Sequence, residues 1–396
     1  MIALLALLLG TQVPRDQWRE PPNTPLVTAE RIAKVAPKAA SEWHAYLARS
    51  RAMRDRDTIA MAAELRAAHK TKMAQAPYAH DFAFVDSMSQ LWFSSDSAQR
   101  IADIILSFQA PNGGWSKHVD LRQHQRRAAE SYFGESDQWE WISTIDNAAT
   151  TEQIRFLKRV NERRRDKRYE DAIVRGITYL AASQYPNGCF PQVYPLQGGY
   201  HDAATYNDDA TVNVLRLMQE LSAGTPPASV LRLAPHKIQL DGIHCILESQ
   251  VRVNGVLTGW AQQHDPLTLE PTAGRTYELT SLSALETASI VDFLMTIPNA
   301  SPGIARAIDA AVAWLKSVSL RDYTYAKYEL RKTPGAGPLW GRLYEIGTNR
   351  VIMANRDGVK LYDWNKLTDR RSGYRWYGDQ PAKTIAAYES WKQRRP

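Results

Sequence analysis

The sequence predicts a mainly α-helical protein, an (α/α)₃ toroid with a few short strands and long loops. Two observations favour this fold class. Amphipathic helical patterns fill most of the chain, and a segment that ends a helix and turns on Asn-Gly recurs three times. Alternating strand patterns are scarce before the segment GPLWGRLYEIG.

The first residues, MIALLALLLG, form an apolar run that is too short to span a bilayer. This run is typical of a secretory signal peptide, which we place at residues 1–14, and it predicts a secreted or periplasmic protein. We assign residues 15–85 to a helical N-terminal extension and residues 86–396 to the main domain.

The extension is rich in Ala, Arg and Glu from Ala29 to Lys70, which predicts helix on both sides of Pro37. Its apolar face carries Trp43, Tyr46 and Leu47. The main domain then begins with SSDSAQRIADIILSFQ, a Ser/Asp cap signal followed by an amphipathic helix.

Three segments read as the end of a helix, a Gln, an Asn-Gly turn and an aromatic residue. They are LSFQAPNGGW, AASQYPNGCF and LESQVRVNGVLTGW, with the glutamines at 109, 184 and 250. Asn-Gly tolerates positive φ and can turn the chain sharply, so we expect the following aromatic residue to pack beneath the turn. A fourth helix, PGIARAIDAAVAWLKSV, lacks the Asn-Gly, and LYEIG and VKLYD predict short strands.

The composition limits the function. Lys plus Arg is 49 and Asp plus Glu is 42, a net charge of +7 that favours anionic partners. Twelve Trp and eighteen Tyr exceed what a core needs, and such residues often line a cleft that stacks on flat ligands. Cys189 and Cys245 could form one disulfide or remain separate buried thiols.

Two acidic clusters precede amphipathic helices. STIDNAATTEQ carries Asp146 and Asn147, and TYNDDATVNVL carries Asn207, Asp208 and Asp209. Either cluster could cap a helix. Together, their converging oxygens could also bind Ca²⁺. Alternatively, two of the carboxylates could be the acid and the base of a glycosidase. On spacing alone, a pair of helix caps and a metal site are equally favoured.

A set of cationic residues lies in Gly-rich or turn segments, next to Trp and Tyr. Arginines in such positions can grip carboxylates with two hydrogen bonds. The set is Lys117, Arg275, Arg342, Arg350 and Arg356.

The resemblance to a known family is carried by five segments in order between about residues 90 and 378. LSFQAPNGGWSKH, TIDNAATTEQIRFL, ASQYPNGCFPQVYPLQGGYHDAATYNDDATVNVL, GWAQQHDPLTLEPTAGRTYELTSLS and GRLYEIGTNRVIMANRDGVKLYD together resemble the family 10 polysaccharide lyases, which are pectate lyases with an (α/α)₃ toroid. This chain departs from the family pattern at His118, Cys189, Phe190 and Ala261, where we expect altered substrate contacts rather than altered chemistry.

The resemblance implies cleavage of α-1,4-polygalacturonate by calcium-assisted anti β-elimination, giving 4,5-unsaturated oligogalacturonides. It implies that Asp146 and Asp208 hold Ca²⁺ and that Arg275 abstracts the C5 proton. An arginine base conflicts with the usual protonation of guanidinium, unless neighbouring cations disfavour its charge. The implied substrate contacts are Lys117, Asn147, Asn207, Asp209, Arg342, Arg350 and Arg356. With these roles we expect the second cluster both to cap its helix, through Asn207 or Asp209, and to present Asp208 to the cleft.

Two rival functions remain open at this point. The chain could be a polysaccharide hydrolase that uses the same carboxylates as acid and base, or a non-catalytic pectin-binding protein. A nucleic-acid binder would rest only on net charge and the run Arg163–Arg168. We expect a monomer whose partner is polygalacturonate, with no nucleic acid and no membrane.

Overall fold

The computed structural model describes residues 24–80, 82, 88–135, 143–223 and 227–395. The proposed signal peptide, residues 1–14, lies outside these ranges. The helices in the described ranges are α1 Ala29–Val35, α2 Ala40–Ala67, α3 Asp96–Ser107, α4 Thr151–Arg163, α5 Lys167–Ser183, α6 Ala210–Ala223, α7 Ala228–Leu231, α8 Pro235–Glu248, α9 Ala284–Leu294, α10 Pro302–Ser317 and α11 Gln380–Gln393. None of them is long and apolar enough to cross a membrane.

The strands are short and antiparallel, in small separate sheets. One sheet has three strands in the order β1 (Ala204–Thr205), β4 (Gln263–His264) and β5 (Pro271–Thr272). The two-stranded sheets pair β2 (Arg252–Val253) with β3 (Val256–Leu257), β6 (Leu282–Ser283) with β10 (Leu343–Tyr344), β7 (Tyr323–Ala326) with β8 (Glu329–Lys332), β9 (Trp340–Gly341) with β13 (Tyr377–Gly378), and β11 (Met353–Ala354) with β12 (Lys360–Leu361). The mainly helical prediction is confirmed, as are the strands expected in LYEIG and VKLYD.

The N-terminal extension packs on the main domain through α2. Pro37 begins a 3-10 turn that separates α1 from α2, as predicted. Trp43, Tyr46 and Leu47 are buried in the same apolar core as the main helices, and the Tyr46 hydroxyl donates to the Ser183 carbonyl at 2.9 Å. The predicted apolar face of the extension is therefore the face that binds it to the rest of the protein.

The three glutamines of the repeated segment have the same contacts. Each side-chain amide donates two hydrogen bonds, one to its own turn and one to the neighbouring helical segment. The acceptors are the carbonyls of Gly113 and Ala172 for Gln109, Gly188 and Ile238 for Gln184, and Thr258 and Ala307 for Gln250. The internal repeat read from the sequence is thus a repeated piece of structure that joins successive helices.

The tryptophans after these turns are buried, as predicted. The indole N–H of Trp115 donates to the Ile105 carbonyl at 2.8 Å, and that of Trp260 donates to the Ile246 carbonyl at 2.7 Å. A buried indole N–H needs such an acceptor. Trp340 makes the same bond to the last turn of α10, at 2.7 Å from the Leu315 carbonyl, although no Asn-Gly precedes it.

The glycines of the first two Asn-Gly turns have no room for a side chain. Gly113 and Gly188 have φ of +97° and +86°, and a Cβ on Gly188 would lie 2.0 Å from the Asp241 carbonyl oxygen. Cys189, the next residue, forms a disulfide with Cys245 of α8. The second turn is therefore held tightly against α8.

Candidate active site

Two 3-10 turns, Asp146–Ala148 and Asn207–Asp209, precede α4 and α6 and contact each other. Their second residues have the same left-handed backbone, with φ, ψ of 49°, 39° at Asn147 and 49°, 37° at Asp208. Asp146 therefore corresponds to Asn207, and Asn147 corresponds to Asp208. The two carboxylates that the sequence analysis placed at similar positions are offset by one residue, so they approach the shared rim from different positions in their turns.

The side chains of the second turn do not cap α6, contrary to our expectation. The amide oxygen of Asn207 accepts from Arg342 and Gln262, and its nitrogen donates to Asp208 at 2.9 Å. The Asp209 carboxylate accepts a hydrogen bond from Ser289 of α9. These two side chains instead bond groups elsewhere in the fold.

Asp146 is buried and forms an ion pair with the partly exposed Lys117. The ammonium is 2.6 Å from Oδ2 of Asp146 and 3.4 Å from the amide oxygen of Asn147. Burial alone would raise the pKa of Asp146, but Lys117 and the nearby Gln192 amide outweigh it and the pKa is lowered. The other carboxylate oxygen, Oδ1, is buried and makes no hydrogen bond of good geometry within the described residues. Burying a charged oxygen without such a hydrogen bond is unfavourable.

Asp208 has the more exposed carboxylate, with 39% of its side chain accessible. Its Oδ1 atom is 3.1 Å from Nη2 of Arg342. Burial raises the pKa of Asp208, Arg342 opposes this effect, and the negative charge of Asp146 adds to it, so the pKa is raised overall. The influence of Asp146 shows that the two carboxylates are close enough to repel each other.

Arg342 lies beneath this pair in a polar network. Its Nη2 atom is 2.5 Å from Oε1 of Glu286 in α9 and 3.0 Å from the amide oxygen of Asn207. The side-chain exposures of Arg342 and Glu286 are 8% and 3%.

Two further side chains surround this ion pair. The Gln262 amide donates hydrogen bonds to both Asn207 and Glu286. The hydroxyl of Tyr374 donates to Gln262 at 3.0 Å, and its ring lies 4.6 Å from the Arg342 guanidinium carbon. Arg342 is thus placed to hold Asp208 from below.

Arg275 is partly exposed and is paired with Glu278. Its Nε and Nη2 atoms lie 2.9 and 2.5 Å from the two oxygens of this carboxylate, and one third of its side chain is accessible. Burial alone would lower the pKa of Arg275, but Glu278 outweighs it and the pKa is raised. The charge of Arg275 acts on Lys117, Asp146 and Asp208, so the structure brings these four predicted residues together.

Arg370 is a neighbouring cation that sequence reasoning missed. Its guanidinium lies 4.2 Å from the ring of Tyr277 and donates to the Tyr277 hydroxyl at 3.1 Å. The pKa of Arg370 is lowered, first by burial and also by the charges of Arg275 and Arg356. The available signal was the same as for the predicted arginines, a basic residue in a loop with Gly and aromatics. Glu278, Glu286, Gln262 and Tyr374 were missed as well.

The last two predicted arginines are placed differently. The backbone N–H and the guanidinium of Arg356 bond Asp369, and its charge reaches Tyr277 and Arg370 at the edge of the cluster. Arg350 stacks on Tyr362, 3.7 Å from the ring centre. Within the described residues, Arg350 makes no contact with Asp146, Asp208 or Arg275. The structure therefore separates Arg350 from the other predicted residues.

The residues present fit a cation that is held in part by another molecule. Within the described ranges, no three His, Cys, Asp or Glu side chains gather closely enough to hold a metal ion by themselves. Asp146 and Asp208 nevertheless repel each other, and Oδ1 of Asp146 accepts no hydrogen bond of good geometry within the described residues. A hard cation with open coordination positions would satisfy both features. The surrounding Lys and Arg residues would bind an anionic ligand that completes the coordination.

Comparisons with known proteins agree on one family. Residues 109–385 match the model of the pectic acid lyases. A family 10 polysaccharide lyase from Cellvibrio cellulosa is similar to this chain at 33% identity, with a TM-score of 0.67, covering 76% of this chain and 95% of that one. A mutant of that lyase in complex with trigalacturonic acid has the same identity and coverage and a TM-score of 0.66. No curated protein matches the chain.

Proposed function

This chain belongs to the pectic acid lyase family and is a polysaccharide lyase, and we propose that it cleaves α-1,4-polygalacturonate by calcium-assisted anti β-elimination. The observation that carries the proposal is the convergence of Lys117, Arg275 and Arg342 on the carboxylates of Asp146 and Asp208. Such a site can hold a cation and an anionic sugar chain together.

The reaction begins at C5 of a galacturonate unit, beside its carboxylate. Ca²⁺ held by Asp146 and Asp208 would offset the charge of that carboxylate and make the C5 proton easier to remove. In our proposal Asp146 and Asp208 hold the ion, and Arg275 takes the C5 proton. The C5–H electron pair forms the C4–C5 double bond, the C4–O bond breaks, and the leaving oxygen is protonated by solvent.

The proton transfer is opposed by the ion pair seen in the structure. Glu278 raises the pKa of Arg275, which keeps the guanidinium charged. The positive charges of Lys117 and Arg370 act in the opposite direction, because like charges disfavour one another. Only the neutral fraction of Arg275 would act as a base, so we expect activity to rise toward alkaline pH.

The remaining predicted residues are assigned supporting roles in the proposal. Lys117 lies against Asp146, where it would contact the substrate carboxylate as the cation binds. Arg342 is too buried to be a primary grip on the substrate, so we assign it the positioning of Asp208. Arg356 is the better candidate for a uronate contact than Arg350, because its charge reaches Arg370 and Tyr277 beside Arg275.

The repeated helix contacts support a toroidal arrangement. The Gln and Trp contacts recur in successive helical segments, and α4 packs on α5, α6 on α8, and α9 on α10. We propose that these three pairs form an (α/α)₃ toroid with the two acidic turns at one end. The disulfide between Cys189 and Cys245 supports the further proposal that the protein is exported to an oxidising compartment.

The proposal is tested by the near-ultraviolet absorbance of polygalacturonate incubated with the protein at alkaline pH. We expect absorbance from the new double bond in the presence of calcium, and we expect it to stop when excess chelator is added. Flat absorbance with new reducing ends would instead establish hydrolysis. Binding to polygalacturonate without either product would establish a non-catalytic binding protein.

A further inference from the structure

The last part of the N-terminal extension is bound closely beside the site. The Ala74 amide donates to the Ala129 carbonyl at 2.8 Å, and the Ser131 amide donates back to Ala74 at 2.7 Å. The Asp120 amide donates to the Pro77 carbonyl at 2.8 Å. Through these hydrogen bonds, residues 74–79 form isolated β-bridges with the loop that follows Lys117.

This segment places two rings against His118. The ring centres of Tyr78 and His118 are 5.8 Å apart, with 33° between the planes, and those of His80 and His118 are 5.7 Å apart, with 46° between the planes. Nδ1 of His118 is 2.8 Å from the carbonyl oxygen of His80, which orients the central ring. We call these three residues the Tyr78 platform.

The central ring of the platform, His118, is buried, and the ring of Tyr78 is exposed. The side chain of His118 is only 9% exposed, whereas Tyr78 is 51% exposed. Large aromatic residues are usually covered, because their burial removes apolar surface from water. Tyr has only two side-chain torsions, so an exposed Tyr ring that packs against a buried neighbour loses little conformational entropy when it binds a flat ligand.

The platform adjoins the proposed catalytic site. His118 follows Lys117, whose ammonium is 2.6 Å from Asp146. Glu135 lies near both the platform and the proposed catalytic site. Its carboxylate is 4.0 Å from Nε2 of His118, and its charge raises the pKa of Lys117. A sugar chain that extends from the site past Lys117 would therefore reach the exposed ring of Tyr78.

Resting on the proposed function, we propose that Tyr78 and His80 form an additional subsite that stacks on a uronate ring beyond the catalytic site, on the Lys117 side. The aromatic face of Tyr78 would contact the apolar face of the sugar, and Lys117 and the imidazoles would lie near its carboxylate. Both residues precede residues 109–385, the part of the chain that matches the family model. The N-terminal extension thereby acquires a role in binding long substrates.

The test compares short and long substrates in two matched variants of the full chain. Tyr78→Ala removes the proposed ring, and Tyr328→Ala removes a ring of similar exposure, 46%, in the hairpin of β7 and β8. Initial rates of absorbance increase give kcat/KM for trigalacturonate and hexagalacturonate. We expect Tyr78→Ala to lower the hexamer-to-trimer ratio of kcat/KM by roughly threefold to tenfold, in line with the strength of one aromatic contact. Tyr328→Ala should keep the wild-type ratio.

An unchanged ratio in Tyr78→Ala, or an equal fall in both variants, would overturn the subsite. Calorimetric titration of hexagalacturonate into the same proteins separates this failure from a failure of the proposed function. If the wild type forms no unsaturated product but Tyr78→Ala still weakens hexamer binding, the subsite stands and the elimination proposal fails. If the wild type is active and Tyr78→Ala binds the hexamer with unchanged affinity, the elimination proposal stands and the subsite proposal fails.

Discussion

Replacing Arg342 by methionine leaves the carboxylate of Glu286 buried without its cation. The pair is 2.5 Å apart, and the side chains are 8% and 3% exposed, so water cannot replace the lost partner. Removing one member of such a buried pair costs about 3–5 kcal/mol. Glu286 keeps its hydrogen bonds with Gln262 and Ser283, so we expect Arg342→Met to cost about 3 kcal/mol, the lower end of this range.

Equilibrium urea unfolding measures this loss of stability. A double-mutant comparison shows whether the loss comes from the interaction between Arg342 and Glu286. Glu286→Gln removes the opposite charge, and the double variant replaces the ion pair by two neutral side chains. We expect the double variant to be less destabilised than the sum of the two single variants by about 1–3 kcal/mol. Costs that simply add would refute a direct interaction between the two groups. Lys158→Met, in an exposed pair with Glu162, is the control and should stay within about 0.5 kcal/mol of the wild type.

The remaining predictions concern the chemistry and the pH dependence. Arg275→Ala should abolish elimination while calorimetric binding of polygalacturonate largely survives; near-normal turnover would remove Arg275 from the base role. Asp146→Ala and Asp208→Ala should each raise the calcium concentration needed for activity or abolish activity, and an unchanged calcium titration would refute the ligand assignment. Glu278→Gln removes the anion that raises the pKa of Arg275, so the acid limb of the pH–rate profile should move to lower pH. A limb that does not move would show that another group is titrating. His264 is buried, and burial lowers its pKa from 6.5 to about 4, so the unfolded state takes up the proton first as pH falls. Wild-type unfolding free energy should therefore fall by about 3 kcal/mol between pH 6.5 and 4 through this residue, and denaturation of His264→Gln should show a correspondingly smaller loss.

Local signals in the sequence were reliable where the physical cause was local. Ser95 accepts a hydrogen bond from the Ala98 amide and begins α3, as the Ser/Asp signal predicted. The Asn-Gly pairs gave positive φ at Gly113 and Gly188, because only a residue without Cβ fits the backbone there. The repeated glutamines were also correctly grouped, since each caps its own turn within four to eight residues.

The partners of the site residues were not predictable in the same way. Arg342 meets Asn207 across 135 residues, and Tyr374 meets Gln262 across 112 residues. No pattern along the chain marks such pairs. The resemblance to a family supplied candidate residues, but it did not reveal that Arg342 is buried beneath Asp208 or that Arg350 stacks on Tyr362, apart from the other candidates.

The sequence by itself determined the mainly helical character of this protein, its repeated turns and its family, because periodicity, turn chemistry and motif order are properties of neighbouring residues. Only the tertiary structure decided which oxygens and cations share the site and which pKa values they have. Those depend on distances through space and on removal from water, and Asp146 and Asp208 show it most directly: two aspartates in similar segments have pKa values shifted in opposite directions by their different partners and exposure.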